Sequence, residues 1–257
     1  MIKKWMLTLA VALLICVPVL ADWDPGDPFK MHYPQLPKVD GGWDVMSSYY
    51  VFLADDWQCT QTGFVNDIHV WVSFKEDVVF DPNTVHLAIW SDDPVGDSGI
   101  PGEDPLNDFS KPLNQEWHGD QVFGQWTMRP YDVGPQGWFD ARDPAATMVP
   151  PSLPDHVQVY QLNFLFDDLD AFWQEEGTIY WLEFTVQNPV EVNIGWKESA
   201  DHFNDDAVWR ILGEPWNELT DPVTGLSMDL AFVITPEPAT LGLLGIGGLA
   251  MLRRRKR

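Results

Sequence analysis

The sequence predicts an all-β protein, most simply an antiparallel β-sandwich of the jelly-roll type with about eight strands. Apolar residues recur with a period of two along most of the chain, which is the pattern of half-buried strands. Turn-forming runs such as Asp81-Pro82-Asn83 separate these segments. No long amphipathic helix competes with this pattern, and the lack of an internal repeat argues against a propeller or solenoid. The length of residues 22–235 suits one large all-β domain or two small ones.

Six segments carry the alternation, with apolar side chains on one face, and the segments 48–54 and 206–212 are less regular candidates. The segment DIHVWVSF is the clearest, because Ile68, Val70 and Val72 alternate with His69 and Trp71. The predicted strands are 48–54, 65–74, 84–90, 156–166, 178–186, 190–196, 206–212 and 228–234.

The stretch 91–154 breaks the alternation and is rich in Pro, Gly and Asp. Only QVFGQWT within it has the composition of a strand, so we predict a long irregular insertion into the sandwich. Long insertions on a rigid scaffold often carry binding sites, which makes this region the first place to expect a ligand. The patch 167–176 has apolar residues at helical spacing and predicts one or two helical turns over a sheet end.

The N-terminus has the three parts of a secretory signal peptide at residues 1–21. Lys3 and Lys4 precede an apolar stretch that Pro18 ends, and small or modest residues lead to a cleavage position after Ala21. The run DWDPGD that follows could not extend an apolar helix. We therefore expect the protein to be exported.

The C-terminus predicts a transmembrane segment that is too short to be a permanent anchor. Residues 239–252 are apolar, Gly or Thr, and a helix of 14 residues spans about 21 Å against the ~30 Å of a bilayer core. Five basic residues at 253–257 follow it. Because Lys and Arg are retained on the cytoplasmic side, this tail would stall in the inner membrane after the body has been exported.

Residues 236–257 resemble the PEP-CTERM sorting signal, since a Pro-Glu-Pro triplet, a short apolar segment and an arginine-rich end follow one another. The resemblance implies recognition by an exosortase, a membrane-embedded cysteine transpeptidase-like enzyme that removes the tail. It also implies transient membrane anchoring, followed by release to the cell envelope or an extracellular matrix. The implied sorting residues are Pro236, Glu237, Pro238, Arg253, Arg254 and Arg255.

The exported body, residues 22–235, is strongly acidic. All but one of the 39 Asp and Glu residues lie in it, whereas seven of the 15 Lys and Arg residues lie in the two ends, which leaves a net charge near −30. Such a field repels nucleic acid and anionic lipid, so neither is an expected partner. Blocks of the body such as WDPGDPFKMHYPQLP and GWKESADHFNDDAVW resemble an uncharacterised domain of exported PEP-CTERM proteins, which implies a single domain and no assigned activity.

Two acidic clusters are candidate calcium ligands, because Ca²⁺ prefers hard oxygen ligands at short spacing. Asp92, Asp93 and Asp97 crowd one loop, and Asp205 and Asp206 precede a predicted strand. Neither cluster has the EF-hand spacing. The alternative for both is a solvated acidic loop without a bound ion.

Three Trp residues are candidates for carbohydrate binding. Trp117, Trp126 and Trp138 lie in the stretch 91–154, where exposed indole faces would suit sugar rings. The alternative for each is a place in the core, where most of the 14 Trp residues are expected.

The chain carries no catalytic signature, since G-x-S-x-G, H-E-x-x-H, P-loop and Rossmann motifs are all missing from the sequence. In so acidic a chain a pair of catalytic carboxylates cannot be assigned by spacing. We therefore expect a non-catalytic structural or adhesive surface module with an exosortase as its processing partner. The alternatives are a carbohydrate-binding module for matrix polysaccharide and, behind it, a glycoside hydrolase-like enzyme.

Overall fold

The computed structural model describes residues 22–48, 50–80, 84–96, 109–122, 126–167, 169–187 and 193–236. The predicted signal peptide, the apolar segment 239–252 and the basic tail lie outside these residues. No helix in the described ranges is long and apolar enough to cross a membrane.

Fourteen strands make up about half of the described chain. Its helical structure consists of a 3₁₀ turn at Lys75–Asp77 and a short α-helix at Pro144–Thr147. The strands are β1 Trp43–Met46, β2 Val51–Gln58, β3 Gly63–Val65, β4 Asp67–Phe74, β5 Thr84–Asp93, β6 Lys111–Val122, β7 Trp126–Phe139, β8 His156–Leu165, β9 Phe172–Gln174, β10 Ile179–Val186, β11 Ile194–Lys197, β12 Val208–Ile211, β13 Asn217–Glu218 and β14 Phe232–Ile234.

The first sheet has the strand order β11-β1-β7-β8-β4-β14 and closes on itself, because β11 also pairs with β4. Two short strands share one edge of β4: residues 68–70 pair with β14, and residues 72–74 pair with β11. The other edge of β4 pairs with β8. Five strands thus form a barrel-like closure that covers both edges of the central strand β4.

The second sheet is open and antiparallel, with the order β13-β12-β2-β10-β5-β6. Strands β3 and β9 form a separate two-stranded sheet. Both large sheets direct side chains into one hydrophobic core. Trp196 of the first sheet joins them there, since its ring centroid lies 5.4 Å from that of Phe184 in β10 and 6.0 Å from that of Phe232 in β14.

The all-β prediction is confirmed, and each of the eight predicted segments contains a strand, namely β2, β4, β5, β8, β10, β11, β12 or β14. The jelly-roll topology needs correction. The first sheet curls into the five-strand closure described above, and it includes a parallel pair, β1 with β7. A jelly roll would instead place eight antiparallel strands in two sheets.

The prediction of an irregular insertion at 91–154 is also wrong. This stretch contains the two longest of the described strands, β6 with 12 residues and β7 with 14. Strand β6 lies at the edge of its sheet and contains few apolar residues. Strand β7 contains Pro130, Gly134 and Pro135, and its register with β8 shifts twice near these positions. Such bulges interrupt the two-residue alternation on which the prediction depended.

The predicted helical turns at 167–176 do not form in the described part of that patch, which contains β9 instead. Trp173 packs edge-on against Phe64 of β3, with ring centroids 4.9 Å apart. This cross-strand contact outweighs the local helical spacing of the apolar residues.

A lysine is buried inside the barrel-like closure. Lys197 of β11 is 0% exposed, and its Nζ donates to the Trp43 carbonyl oxygen at 3.0 Å and lies 3.4 Å from Asp44 Oδ2. The same Asp44 oxygen lies 3.0 Å from His156 Nε2. Burial lowers the pKa of Lys197, which the neighbouring carboxylate partly counters. Lys197, Asp44 and His156 are each at most 1% exposed, and their contacts join β11, β1 and β8.

Candidate functional site

The three Trp residues predicted to bind carbohydrate have different environments. Trp126 and Trp138 are 7% and 2% exposed and belong to the core, so the expectation that they present a ring face to a ligand was wrong. Trp138 rests against Gly195, where a Cβ atom would lie 2.8 Å from its ring. Trp117 is partly exposed and lines an open cleft.

Some of the acids predicted to bind calcium lie near one another in the structure, although they come from different predicted clusters. The charge of Asp205 contributes to a raised pKa at Asp92, although burial is the larger cause and a hydrogen bond from Trp181 opposes both. Asp205 Oδ2 accepts from the backbone N–H and the hydroxyl of Ser110, both at 2.8 Å. Asp93 is 1% exposed, with Lys111 Nζ 4.0 Å away.

Asp206 accepts a hydrogen bond from the Ser227 hydroxyl, while Asp97 lies outside the described residues. Within the described ranges no three His, Cys, Asp or Glu residues are arranged to hold a metal ion. The acids that meet are therefore held by protein donors, and calcium binding stays a prediction.

Two adjacent acids of β2 lie at the centre of this region and face opposite sides of the second sheet. Asp55 has the parity of the core residues Leu53 and Trp57 and is 0% exposed. Its Oδ2 accepts from the Leu230 N–H at 2.6 Å and from Gln35 Nε2 at 3.1 Å. Its Oδ1 accepts from its neighbour's N–H at 2.8 Å.

Asp56 lies on the other face and is also 0% exposed. Its Oδ2 accepts from Asn204 Nδ2 at 2.7 Å, while its Oδ1 has no hydrogen-bond partner among the described residues. Burial raises the pKa of Asp56 to about 9. Burial and the charges of Asp229 and Asp56 likewise raise the pKa of Asp55 well above its usual value. Asp56 therefore carries a proton at neutral pH.

Asp229 connects this buried pair to the surface. Gln35 Nε2 lies 3.5 Å from its Oδ2, which also accepts from the Phe203 N–H at 2.6 Å. Its Oδ1 lies 2.7 Å from His202 Nδ1, and the His202 side chain is 51% exposed. Burial raises the pKa of Asp229 to about 6, against the opposing effect of these hydrogen bonds.

Asp229 and His202 line a cleft of about 260 Å³, which we call the Asp229 cleft. It is lined by Lys38, Glu198, Ser199, Ala200, Asp201, His202, Ser227, Met228 and Asp229. Asp229, His202 and Ser227 provide the acid, imidazole and hydroxyl groups of a nucleophilic triad. Their geometry decides whether the hydroxyl can react.

Ser227 is not positioned as a nucleophile. Its Oγ lies 3.3 Å from His202 Nδ1 and 3.2 Å from His202 Nε2, which is almost equidistant. An oxygen in line with the Nε2 lone pair would lie about 5 Å from Nδ1, so this hydroxyl is not in the direction from which the ring could take its proton. The hydroxyl donates to Asp206 instead. The cleft can hold and exchange protons, but it does not present an activated serine.

A second cleft of about 520 Å³ lies at edge strand β6, and we call it the Trp117 cleft. Its wall is Trp117, whose Nε1 donates to the Asp170 carbonyl oxygen at 2.5 Å. It is lined by Trp117, His118, Gly119, Asp120, Leu165, Phe166, Asp167 and Asp170.

The body ends where the predicted sorting signal begins. Thr235 follows β14 and is 3% exposed. Its N–H donates to the Asp67 carbonyl oxygen at 3.0 Å, and its hydroxyl lies 3.3 Å from His69 Nε2. Pro236 is the last described residue, and the other sorting residues, Glu237, Pro238, Arg253, Arg254 and Arg255, lie outside the described ranges.

Comparison with known families agrees with this division of the chain. Residues 235–257 match the PEP-CTERM protein-sorting motif, which implies an exported protein processed by an exosortase. Residues 31–235 match a domain of unknown function (DUF7901), and because this match covers most of the chain, the protein belongs to that family. Comparisons with curated proteins and with solved structures found no match.

Most of the Asp229 cleft was not predicted from the sequence. Gln35, His202 and Asp229 come from three distant parts of the chain, and no local motif joins them. One signal was available: Asp55 and Asp56 interrupt a strand that is otherwise apolar or aromatic. Two acids in such a strand predict buried carboxyl groups with partners from elsewhere in the fold.

Proposed function

We propose that the body is a non-catalytic structural or adhesive module that acts in the cell envelope or an extracellular matrix. The observation that carries this proposal is the junction at Thr235. In the described part of the chain, the last backbone hydrogen bond of the two-sheet body is donated by Thr235, the residue where the match to the sorting motif begins. Removal of the tail would therefore release a complete folded module.

The buried acids of β2 and the Asp229 cleft both support a role without catalysis. Asp55 and Asp56 are inaccessible to a substrate because both are 0% exposed. Ser227 lies out of line with the ring nitrogens of His202, as described above. A hydrolase would need reacting groups that face a substrate with the correct alignment.

Mass spectrometry of the exported protein tests the sorting step. In cells that contain an exosortase, we expect the mature protein to lack the basic tail. A variant with Pro236, Glu237 and Pro238 all replaced by Ala should keep the tail and stay in the membrane fraction. The variant Asp167→Asn, altered on an exposed turn, serves as the control and should be processed normally. A wild-type mature protein that still carries Arg253–Arg255 contradicts this part of the proposal.

Complementation tests the non-catalytic role. Cells that lack this protein should lose matrix cohesion or surface attachment, and the wild-type gene should restore it. Ser227→Ala and His202→Gln should restore it equally well, because a structural module does not need a reactive hydroxyl or imidazole. If either variant is exported, remains folded by circular dichroism and still fails to restore attachment, the module is not merely structural.

A further inference from the structure

We propose that the Trp117 cleft binds a polysaccharide whose sugars carry protonated amines. This inference deepens the adhesive role proposed above and rests on it for its biological setting. Two features of the cleft define the ligand: one immobilised indole ring, and exposed carboxylates among described lining residues that include no Lys or Arg and one His, His118.

The orientation of the Trp117 ring is fixed by three contacts. Its Nε1 donates to the Asp170 carbonyl oxygen, and its ring centroid lies 4.9 Å from that of buried Phe166 at an angle of 87°. Gly119, two residues along β6, provides the space for this position. A Cβ atom there would lie 2.7 Å from Trp117 Cη2 and 3.1 Å from Phe166 Cε1. A prepositioned aromatic ring loses little conformational freedom when a ligand stacks on it.

The turn that faces Trp117 is held by the same bond. The Asp170 N–H donates to the Asp167 carbonyl oxygen at 2.8 Å, and the Asp170 carbonyl oxygen accepts from the indole. The side chains of Asp167 and Asp170 are exposed and line the cleft. Two carboxylates are thereby placed beside one indole on a short turn.

The charge of the cleft favours a cation. No Lys or Arg is among the described residues that line it. Asp120 is 54% exposed and paired with His86 Nδ1 at 2.6 Å, so Asp167 and Asp170 are the acids that a ligand would neutralise. The strongly acidic body would repel an anionic polysaccharide and concentrate a polycation near its surface.

A single indole favours a sugar ring over an isolated ammonium group. Aromatic cages that select alkylammonium groups surround the cation with several ring faces. Here the second aromatic residue, Phe166, is buried at 6% exposure. One open aromatic surface suits the C–H face of a pyranose, while its amine and hydroxyl groups can reach the neighbouring carboxylates. A cleft of about 520 Å³ can accommodate more than one sugar ring.

Titration calorimetry with a hexamer of β-1,4-linked glucosamine tests the proposal, at about pH 5.5 so that the amines are protonated. The protein is purified in whichever form the producing cells yield, so failure of binding and failure of sorting are observed separately. We expect saturable binding to wild type and binding to the N-acetylated hexamer that is at least about tenfold weaker. Equal binding of the two hexamers would overturn the proposed recognition of amines.

Four variants locate the binding. Trp117→Ala should weaken binding about tenfold or more. Asp167→Lys, on the exposed turn and without a role in folding, should do the same by charge reversal. Asp170→Asn keeps its backbone contacts and should weaken binding by less. Trp173→Ala, which removes a 50% exposed indole from a different sheet, is the matched control and should bind as wild type does.

Two results would overturn the proposal. Glucosamine binding that Trp117→Ala and Asp167→Lys leave unchanged would show only non-specific attraction of a polycation to an acidic protein. An oligolysine that binds as tightly as the glucosamine hexamer, with the same dependence on Trp117, would assign the cleft to basic peptides.

Discussion

The two clefts use aspartate side chains in opposite ways. In the Asp229 cleft and the layer beneath it, Asp55, Asp56 and Asp229 are at most 2% exposed and are held by donors from distant parts of the chain. In the Trp117 cleft, Asp167 and Asp170 are exposed on a turn. The buried acids have raised pKa values, and burial is the main cause in each case.

This difference shows that formal charge is a poor guide to the electrostatics of the body. Asp56, whose pKa is raised to about 9, carries a proton at neutral pH and contributes nothing to the negative field, and burial raises the pKa of Asp55 in the same direction. Asp55 and Asp56 act as hydrogen-bonding groups that join β2 to distant segments at Gln35, Leu230 and Asn204. The field that a ligand meets comes from exposed acids such as Asp167, so substitutions in the two regions should affect different properties.

The largest expected effect is on stability, at Asp55. Asp55→Ala removes the acceptor for the Leu230 N–H, the Asp56 N–H and Gln35 Nε2, and all three donors would be left buried. We expect a loss of about 3–5 kcal/mol in the free energy of unfolding, measured by urea denaturation. Asp167→Ala should change it by less than about 0.5 kcal/mol. If the two variants unfold at the same urea concentration, the distinction between the regions is wrong.

Asp56 should give a smaller effect of the opposite sign. The acid has a pKa of about 9 in the folded protein and an ordinary value near 3.8 when unfolded. Between these values the folded state holds a proton that the unfolded state has lost, so stability falls as pH rises. Asp56→Asn is uncharged and nearly isosteric, and its amide oxygen can still accept from Asn204. It should therefore be more stable than wild type at pH 8, by about 1–3 kcal/mol.

Denaturation across the pH range checks this prediction. The advantage of Asp56→Asn should shrink as pH falls and disappear near the ordinary Asp pKa of about 3.9. Asp167→Asn is the matched control, because the same substitution on an exposed turn should leave the pH profile of wild type unchanged. An Asp56→Asn variant whose stability follows wild type at every pH would mean that Asp56 is ionised in the folded protein.

The strands could be predicted from the sequence where one face is apolar and the other is not. Strand β4 is the clearest case, since Ile68, Val70 and Val72 are all 0% exposed. Strand β6 could not be predicted in this way, because at the edge of the sheet its side chains meet water on much of their surface. Strand β7 was hidden by its prolines and bulges. Alternation reports an apolar face directed into the core, even in β4, where all eight residues are buried, and strands without such a face escape it.

The clefts were harder to predict than the strands. Trp117 was identified together with Trp126 and Trp138, and only burial in the folded protein separates them. The acids could not be separated from the sequence either, because Asp56 and Asp167 are the same type of residue. Their roles differ because Asn204 and the second sheet enclose Asp56, whereas Asp167 is exposed. Such enclosure depends on long-range pairing that a local pattern does not contain.

The smallest expected effect lies at the rim of the Trp117 cleft, where His86 links the exposed acids to the buried ones. His86 Nδ1 lies 2.6 Å from Asp120 Oδ1, and its Nε2 lies 3.3 Å from Glu183 Oε1. Glu183 also accepts from Arg210 at 2.7 Å. Burial alone would lower the pKa of His86, but the hydrogen bonds with the two carboxylates outweigh it, so the pKa is raised.

A group with a raised pKa stabilises the fold fully below its unfolded pKa, about 6.5 for His, and this stabilisation is lost as pH rises through the folded value. His86→Gln should therefore cost about 1 kcal/mol near pH 6 and progressively less towards pH 9, measured by urea denaturation. His118→Gln, which alters the exposed neighbour stacked 6.4 Å away, should follow wild type throughout. Relative to wild type, both variants therefore become more favourable as pH rises: His86→Gln goes from a cost towards zero, and Asp56→Asn goes from zero towards a gain. A cost at His86 that grows with pH would show that this imidazole is neutral in the folded protein.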